Sequence, residues 1–210
     1  DTAMQLTNAP GYNAETTIHP TERKVIFTSM REGDIDLYEM DYDGSNVKRI
    51  TTEFGYDGGA FYSPDGNSIV WRAWYPSNDE EKEKWSTNLS NRYIDAVPLD
   101  IYVAKRDGSN KKRLTNNGAT NWSPSWHPDG KHIVFSSNMD DWREDYNAFG
   151  SNFELYMIHV NTLKIQRLTN NDTFDSFPVI SQNGKIIFSS NRDAENPRQT
   201  NIFIGSIINK

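Results

Sequence analysis

The stretch Trp122-Ser-Pro-Ser-Trp-His-Pro-Asp-Gly-Lys-His-Ile-Val-Phe-Ser-Ser137 decides the fold of this chain. It predicts an inner β-strand, a tight Asp-Gly turn and a second strand, because glycine supplies the positive φ that short turns need. Three further stretches copy this order, at 15–29, 59–73 and 176–190. Copies at a regular spacing are typical of repeat architectures, so the repeats govern the interpretation of the whole chain.

Four pairs of Leu or Ile followed by Thr set the register of the repeats. The first residues of these pairs are Leu6, Ile50, Leu114 and Leu168. Each of them lies 14 residues before the turn between the first two strands of a repeat. A Tyr lies 12 residues before each of the last three. The segment between turn and Tyr varies from 18 to 38 residues, so all length variation falls in one loop per repeat.

Each repeat divides into four short strands, a to d, with turn residues between them. The repeats span about 13–51, 57–115, 121–169 and 175–206, in a single domain over 1–210. Four antiparallel strands per repeat predict an all-β fold, a β-propeller of four-stranded blades. A strand at 4–7 would complete the last blade and close a four-bladed ring without an open edge. Alternatively, the chain is part of a larger ring.

The variable loops join strands b and c, at 30–34, 74–99, 139–152 and 191–200. In an up-and-down sheet the b–c and d–a loops lie at the same end. We therefore expect every insertion on one face of the propeller, which in repeat proteins is often the binding face. Ser77 and the acidic residues after it predict a short helix over 77–89.

Composition argues against several functions. The 210 residues carry a formal charge of −7, whereas nucleic-acid binding needs clustered Lys and Arg. Cysteine is absent, which excludes disulfides, thiolate zinc sites and thiol catalysis. The sequence contains no apolar run of about 18 residues, so it predicts no transmembrane segment. No signal peptide begins at Asp1, so the sequence predicts a cytosolic chain, a processed one or a fragment.

An Asn or Asp recurs seven residues after each Leu or Ile of the register. These residues are Asn13, Asp57, Asn121 and Asp175. They begin the innermost strands, at the mouth of the central channel on the insertion-bearing face. A ring of oxygen ligands there could hold a divalent cation, a small molecule or a sugar. Alternatively, each side chain caps backbone amides where the chain turns into strand a.

Two long loops provide a second candidate site, rich in aromatic side chains. Its residues are Trp74, Tyr75, Trp85, Trp142, Arg143 and Tyr146. Aromatic rings beside hydrogen-bonding groups suit a protein partner or a sugar. Alternatively, the Trp side chains pin the loops to the rim. No Gly-x-Ser-x-Gly turn or other catalytic motif occurs. The sequence therefore favours a binding scaffold without catalytic residues and without a resident cofactor.

The repeats resemble the TolB-type β-propeller family of periplasmic and exported bacterial proteins. The residues that carry this resemblance are Asp100-Ile-Tyr-Val103, Arg106-Asp-Gly108, Arg113-Leu-Thr115, Trp126-His-Pro-Asp-Gly130 and Ile133-Val-Phe-Ser136. Six-bladed members end in a motif like Asn201-Ile-Phe-Ile204, which implies that the chain is the C-terminal part of a six-bladed ring. The resemblance further implies a periplasmic or exported location and a protein partner at the cell envelope. Related propellers include lyases and peptidase-attached domains, so the alternatives are a carbohydrate- or metal-binding propeller or part of a hydrolase or lyase.

Overall fold

The computed structural model describes residues 3–141, 152–196 and 199–207. In these residues the strands form four antiparallel sheets, which we call blades 1 to 4. Blade 1 contains β1 (Asn13–Ile18), β2 (Lys24–Ser29), β3 (Asp36–Asp41) and β4 (Lys48–Arg49). Blade 2 contains β5 (Tyr56–Tyr62), β6 (Ser68–Trp74), β7 (Asp100–Lys105) and β8 (Lys112–Arg113), with helix α1 (Asp79–Ser90) between β6 and β7. Blade 3 contains β9 (Asn121–Trp126), β10 (His132–Ser137), β11 (Glu154–His159) and β12 (Ile165–Arg167). Blade 4 contains β13 (Asp175–Ile180), β14 (Lys185–Ser190) and β15 (Asn201–Ser206).

The blades pack face to face in chain order. The innermost strand β1 contacts β5, β5 contacts β9, and β9 contacts β13. Each blade follows the order a-b-c-d from the centre outward, except that blade 4 has three strands among the described residues. The all-β propeller of four repeats is thereby confirmed. No helix of the described residues is long and apolar enough to cross a membrane.

The four blades form an arc around a central cavity. Strands β1 and β13 both line this cavity, yet the described strands show no packing of β13 on β1 like that between successive blades. Closure by residues 4–7 is not observed, because residues 3–9 belong to no strand. Leu6 instead packs against Val25, Phe27 and Tyr38 of blade 1. Ile50 makes the equivalent contact on blade 2, so Leu6 occupies the place of a strand-d residue that precedes blade 1.

The Leu/Ile-Thr pairs have a structural cause in a cluster of polar groups between strands c and d. Thr115 Oγ1 accepts a hydrogen bond from the backbone N–H of Ile101 at 2.9 Å and donates one to Asp100 Oδ1 at 2.8 Å. The guanidinium of Arg113 pairs with the other oxygen of Asp100. We call this the acid–Thr–Arg cluster. Counterparts are Asp36, Thr51 and Arg49 in blade 1, and Glu154, Thr169 and Arg167 in blade 3.

We expect Thr115→Val to lower the free energy of unfolding by about 1–3 kcal/mol. Thr115 is buried, and the variant leaves the Asp100 carboxylate and the Ile101 amide each short of one partner. Urea denaturation followed by tryptophan fluorescence measures the change. Thr52→Val is the matched control, because Thr52 is exposed and its replacement should change stability by less than about 0.5 kcal/mol. Equal effects of the two variants would contradict the role of the cluster.

The outward face of blade 4 is exposed. Ile202 in β15 takes the place that Leu37, Ile101 and Leu155 take in strand c of the other blades. Those three residues are 0% exposed, because the next blade covers them, whereas Ile202 is 73% exposed. Blade 4 therefore presents an apolar sheet face to solvent.

Candidate functional site

The two Asn residues predicted at the channel mouth hold strand a to strand b. Asn13 Oδ1 accepts a hydrogen bond from Ser29 Oγ at 2.8 Å, and Asn121 Oδ1 accepts one from Ser137 Oγ at 2.9 Å. The amide of Asn121 also donates to the backbone carbonyl of Leu99 at 2.8 Å. Both side chains therefore make the same contact with strand b of their own blade, and Asn121 also bonds to the insertion of blade 2.

The two Asp residues of this register are buried and also bonded within their own blades. Asp175 pairs with Arg192 and accepts a hydrogen bond from Asn171 Nδ2 at 2.9 Å. Asp57 Oδ1 accepts hydrogen bonds from Trp71 Nε1 at 2.5 Å and from the Tyr75 hydroxyl at 2.6 Å. Over residues 3–141, 152–196 and 199–207, no three His, Asp or Glu side chains are grouped to hold a metal ion. Binding of a cation, small molecule or sugar by this ring stays a prediction.

Asp57 sits in an environment that favours its neutral form. Its second oxygen, Oδ2, is buried and has no hydrogen-bond partner among the described residues. Burial raises the pKa of Asp57 to about 7, although the hydrogen bonds from Tyr75 and Trp71 act in the opposite direction. The desolvation of the carboxylate thus outweighs its two donors.

The raised pKa of Asp57 predicts a stability that falls with rising pH. Between about pH 4 and 7 the unfolded state releases this proton while the folded state keeps it. Asp57→Asn has no such proton, and its side-chain oxygen can still accept from Trp71 and Tyr75. From pH 4 to 8 the wild type should lose up to about 4 kcal/mol of stability relative to Asp57→Asn.

Urea unfolding of both proteins at pH 4, 6 and 8 measures this difference. Asp79→Asn is the control, because the Asp79 side chain is 99% exposed and its replacement should leave the pH profile of the wild type unchanged. A difference between wild type and Asp57→Asn that stays constant with pH would show that Asp57 titrates normally in the folded state.

The long insertion of blade 2 packs on the channel mouth. Helix α1 confirms the predicted helix, although its N-cap is Asn78, which accepts from the Glu81 amide at 2.9 Å, and not Ser77. Trp85 and Leu89 of this helix belong to one apolar cluster with Tyr56, at the start of the inner strand β5. The insertion is therefore an ordered part of this face.

Asp34 links three segments at this face. Its Oδ1 accepts a hydrogen bond from Trp85 Nε1 at 2.9 Å, and its Oδ2 accepts one from the Gly55 amide at 2.8 Å. These bonds join the b–c loop of blade 1, the turn into β5 and helix α1. In blade 3, Asn138 Oδ1 accepts from the Thr120 amide at 2.9 Å, again joining a b–c loop to a d–a loop. The described insertions thus lie on one face, which we call the insertion face.

The predicted loop residues have different places in the structure. Trp85 is 2% exposed, so it supports the loop from inside. Trp74 and Tyr75 are half-buried; the Trp74 ring lies 5.5 Å from that of Trp85. Trp142, Arg143 and Tyr146 lie outside the described residues.

Other apolar side chains of the insertion face reach solvent. Tyr93 and Ile94, which follow α1, are 56% and 42% exposed. Phe54 and Tyr12, on the d–a segments that lead into β5 and β1, are also exposed. Sequence reasoning missed these four residues. Their signal was apolar character outside the strand pattern of the repeats.

The inner strands share a second feature, a β-bulge two residues after each Asn or Asp. The bulged residues have positive φ: Glu15 (57°), Gly59 (63°), Ser123 (49°) and Phe177 (56°). Positive φ is uncommon in residues other than glycine, and such strain concentrates at functional sites. All four residues line the central cavity, whose volume is about 260 Å³. This set lies two residues after the ring that the sequence predicts at Asn13, Asp57, Asn121 and Asp175.

Arg72 forms part of the cavity wall. Its guanidinium lies 3.7 Å from the centroid of the Trp122 ring, donates to the Tyr56 hydroxyl at 2.8 Å, and pairs with Glu15. A Cβ at residue 59 would overlap this guanidinium, so Gly59 is required for Arg72 to reach its partners. The other blades have a small hydroxyl residue in place of Arg72, namely Thr28, Ser136 and Ser189. This departure from the repeat was the available sequence signal.

Known proteins share these repeats. No protein-family model matches the chain. The Tol-Pal system protein TolB of Francisella tularensis is 32% identical over 126 residues, which is 58% of this chain and 26% of that protein. The peptidase YuxL of Bacillus subtilis is 28% identical over 142 residues, covering 58% of this chain and 21% of the relative. The chain thus spans about a quarter of the length of these curated relatives.

The solved structure of TolB from Acinetobacter baumannii has the same fold. It superimposes with a TM-score of 0.71 at 20% identity, over 96% of this chain and 43% of that structure. Blades stacked around a lined central cavity define the class of the protein as a β-propeller. Its repeats are similar to those of the TolB proteins, as their resemblance implied.

Proposed function

We propose that this chain is a non-catalytic binding propeller of the bacterial cell envelope and engages a protein partner through the insertion face. The observation that carries this proposal is the exposure of Tyr93, Ile94, Phe54 and Tyr12 on one face. Exposed aromatic and aliphatic side chains on a well-anchored surface are typical of the centre of protein interfaces. The anchoring comes from Trp85 and Asp34, so little ordering entropy opposes binding.

The similarity to TolB supports the location and the kind of partner. The Francisella relative is named as a protein of the Tol-Pal system. By this similarity the chain acts in the periplasm, and its partner is a protein of the envelope. Because the chain spans only part of its relatives, this assignment concerns the propeller and its surface.

We expect the double variant Tyr93→Ala/Ile94→Ala to lose at least about tenfold in affinity for the envelope partner, since it removes two exposed apolar contacts of the insertion face. The partner is first identified by cross-linking the wild type in envelope extract, and its affinity is then measured by calorimetry with the purified protein. Val47→Ala/Leu163→Ala is the matched control. Val47 and Leu163 are exposed apolar residues, each 41% exposed, but they lie in c–d turns on the opposite face. Equal affinities of the two variants would overturn the assignment of this face.

The similarity to YuxL favours a second candidate, the propeller part of a larger hydrolase. In that case the chemistry belongs to a domain outside this chain, and the propeller restricts access to it. Labelling of the natural full-length protein with a fluorophosphonate probe tests this candidate. A labelled serine would establish a hydrolase, whereas an unlabelled protein that retains its envelope partner would support the scaffold.

A further inference from the structure

The central cavity continues toward the face opposite the insertions. Phe61 and Val179 line both the cavity at the bulges and a second space between the a–b turns, which Pro20, Pro64 and Trp126 also line. The other end of the channel is packed by α1, through the cluster that contains Trp85 and Tyr56. A ligand in this cavity therefore meets a different surface from that of the proposed protein partner.

Apolar side chains dominate the wall of the cavity. Phe177 is 53% exposed, although it is held in a left-handed conformation that is unfavourable for this residue. Val179 is also exposed, and Phe61 and Pro178 continue the same wall. The cavity of about 260 Å³ is smaller than the roughly 300–1,000 Å³ of sites for drug-sized ligands. It suits the stem of a small molecule or a single side chain.

Glu15 is the more accessible of the two charged residues that line the cavity. The Arg72 side chain is only 5% exposed, and Tyr56, Trp122 and Glu15 surround its guanidinium. The Glu15 side chain is 23% exposed, and its Oε2 accepts a hydrogen bond from Thr28 Oγ1 at 3.0 Å. A carboxylate has about four acceptor positions, so Glu15 retains capacity for a further donor. The accessible charged group is therefore an acceptor, and the hydroxyl groups of Thr16 and Ser123, which both donate and accept, line the same cavity.

We propose that the cavity binds a primary ammonium group on an apolar stem. Glu15 accepts hydrogen bonds from the ammonium, and Phe177 contacts the cation with its ring and the stem with its edge. Phe61 and Val179 cover the rest of the stem. The formal charge of −7 favours the approach of cations over anions. The same chemistry is available from a free amine and from a lysine side chain of a peptide.

Calorimetry with 2-phenylethylamine and with 2-phenylethanol, its neutral analogue, tests the proposal on the wild-type chain. We expect the amine to bind at least about tenfold more tightly than the alcohol, with an affinity that falls as salt is added. A tetralysine peptide forms the second arm. If the peptide binds more tightly than 2-phenylethylamine, the site is assigned to a lysine side chain. If 2-phenylethylamine binds more tightly, the site is assigned to a free amine. Equal affinities of amine and alcohol, or no binding of amine and peptide at millimolar concentration, would overturn the proposal.

Two variants locate the site. Phe177→Gly removes the aromatic wall but keeps the backbone favourable, because glycine adopts positive φ freely and Gly59 occupies the equivalent bulge. It should weaken amine binding at least about tenfold without lowering the melting temperature. Val47→Ala, the control in an exposed c–d turn, should leave amine binding unchanged. Glu15→Gln should abolish the preference for the amine over the alcohol. If Glu15→Gln does not fold, the Phe177→Gly result and the salt dependence of wild-type binding decide whether the cavity binds the amine. Unchanged amine binding by Phe177→Gly would refute the site.

Discussion

The arrangement of the blades depends on the acid–Thr–Arg cluster between strands c and d. Strand d contributes only two or three ladder residues, too few to hold an outer strand by backbone hydrogen bonds alone. The cluster fixes its end, as Thr115 does through Asp100 and Ile101. The apolar residue between Arg and Thr then extends into the core of the next blade, where Leu114 lies with Phe135 and Tyr156. A buried polar contact in one sheet thus positions the apolar contact that attaches its neighbour.

Both candidate sites use features that depart from this repeat. The insertion face is built by an added helix that Asp34 and Trp85 fix to two blades. The channel uses Arg72 in place of a small hydroxyl residue, beside Glu15 at a bulge. The repeated strands form a rigid frame, and the inserted helix and the Arg72–Glu15 pair add the side chains that distinguish the two candidate sites. The insertion face and the cavity at the bulges lie at different depths along the same axis, so the two proposed sites would not compete for the same surface.

Sequence periodicity was sufficient for the fold, because strand count and loop position follow from spacing alone. It placed the insertions on one face and the helix within one residue of its observed cap. Periodicity could not decide where Leu6 packs, because its spacing in the sequence fits both a residue that precedes blade 1 and a strand that completes blade 4. It also could not give side-chain direction: Asp57 bonds to Trp71 of its own blade, and Asn121 bonds to Ser137 of its own blade and to Leu99 of the blade before it. The contact of Glu15 with Arg72 spans 57 residues and two blades, and no local pattern encodes it.

Because the apolar face around Ile202 is exposed, the four blades differ in the free energy needed to separate them from their neighbours. Among residues 3–141, 152–196 and 199–207, blades 2 and 3 are held on both sides and Leu6 shields blade 1, whereas blade 4 packs on one neighbouring blade. Where no further blade covers Ile202, blade 4 separates first and with the least free energy, as an end unit does in a linear array of nearest-neighbour contacts. Phe177 belongs to that unit, while Trp85 and Asp34 belong to the better-supported end. A small molecule bound against Phe177 would therefore stabilise blade 4 most, whereas the packing around Trp85 and Asp34 would gain little from it.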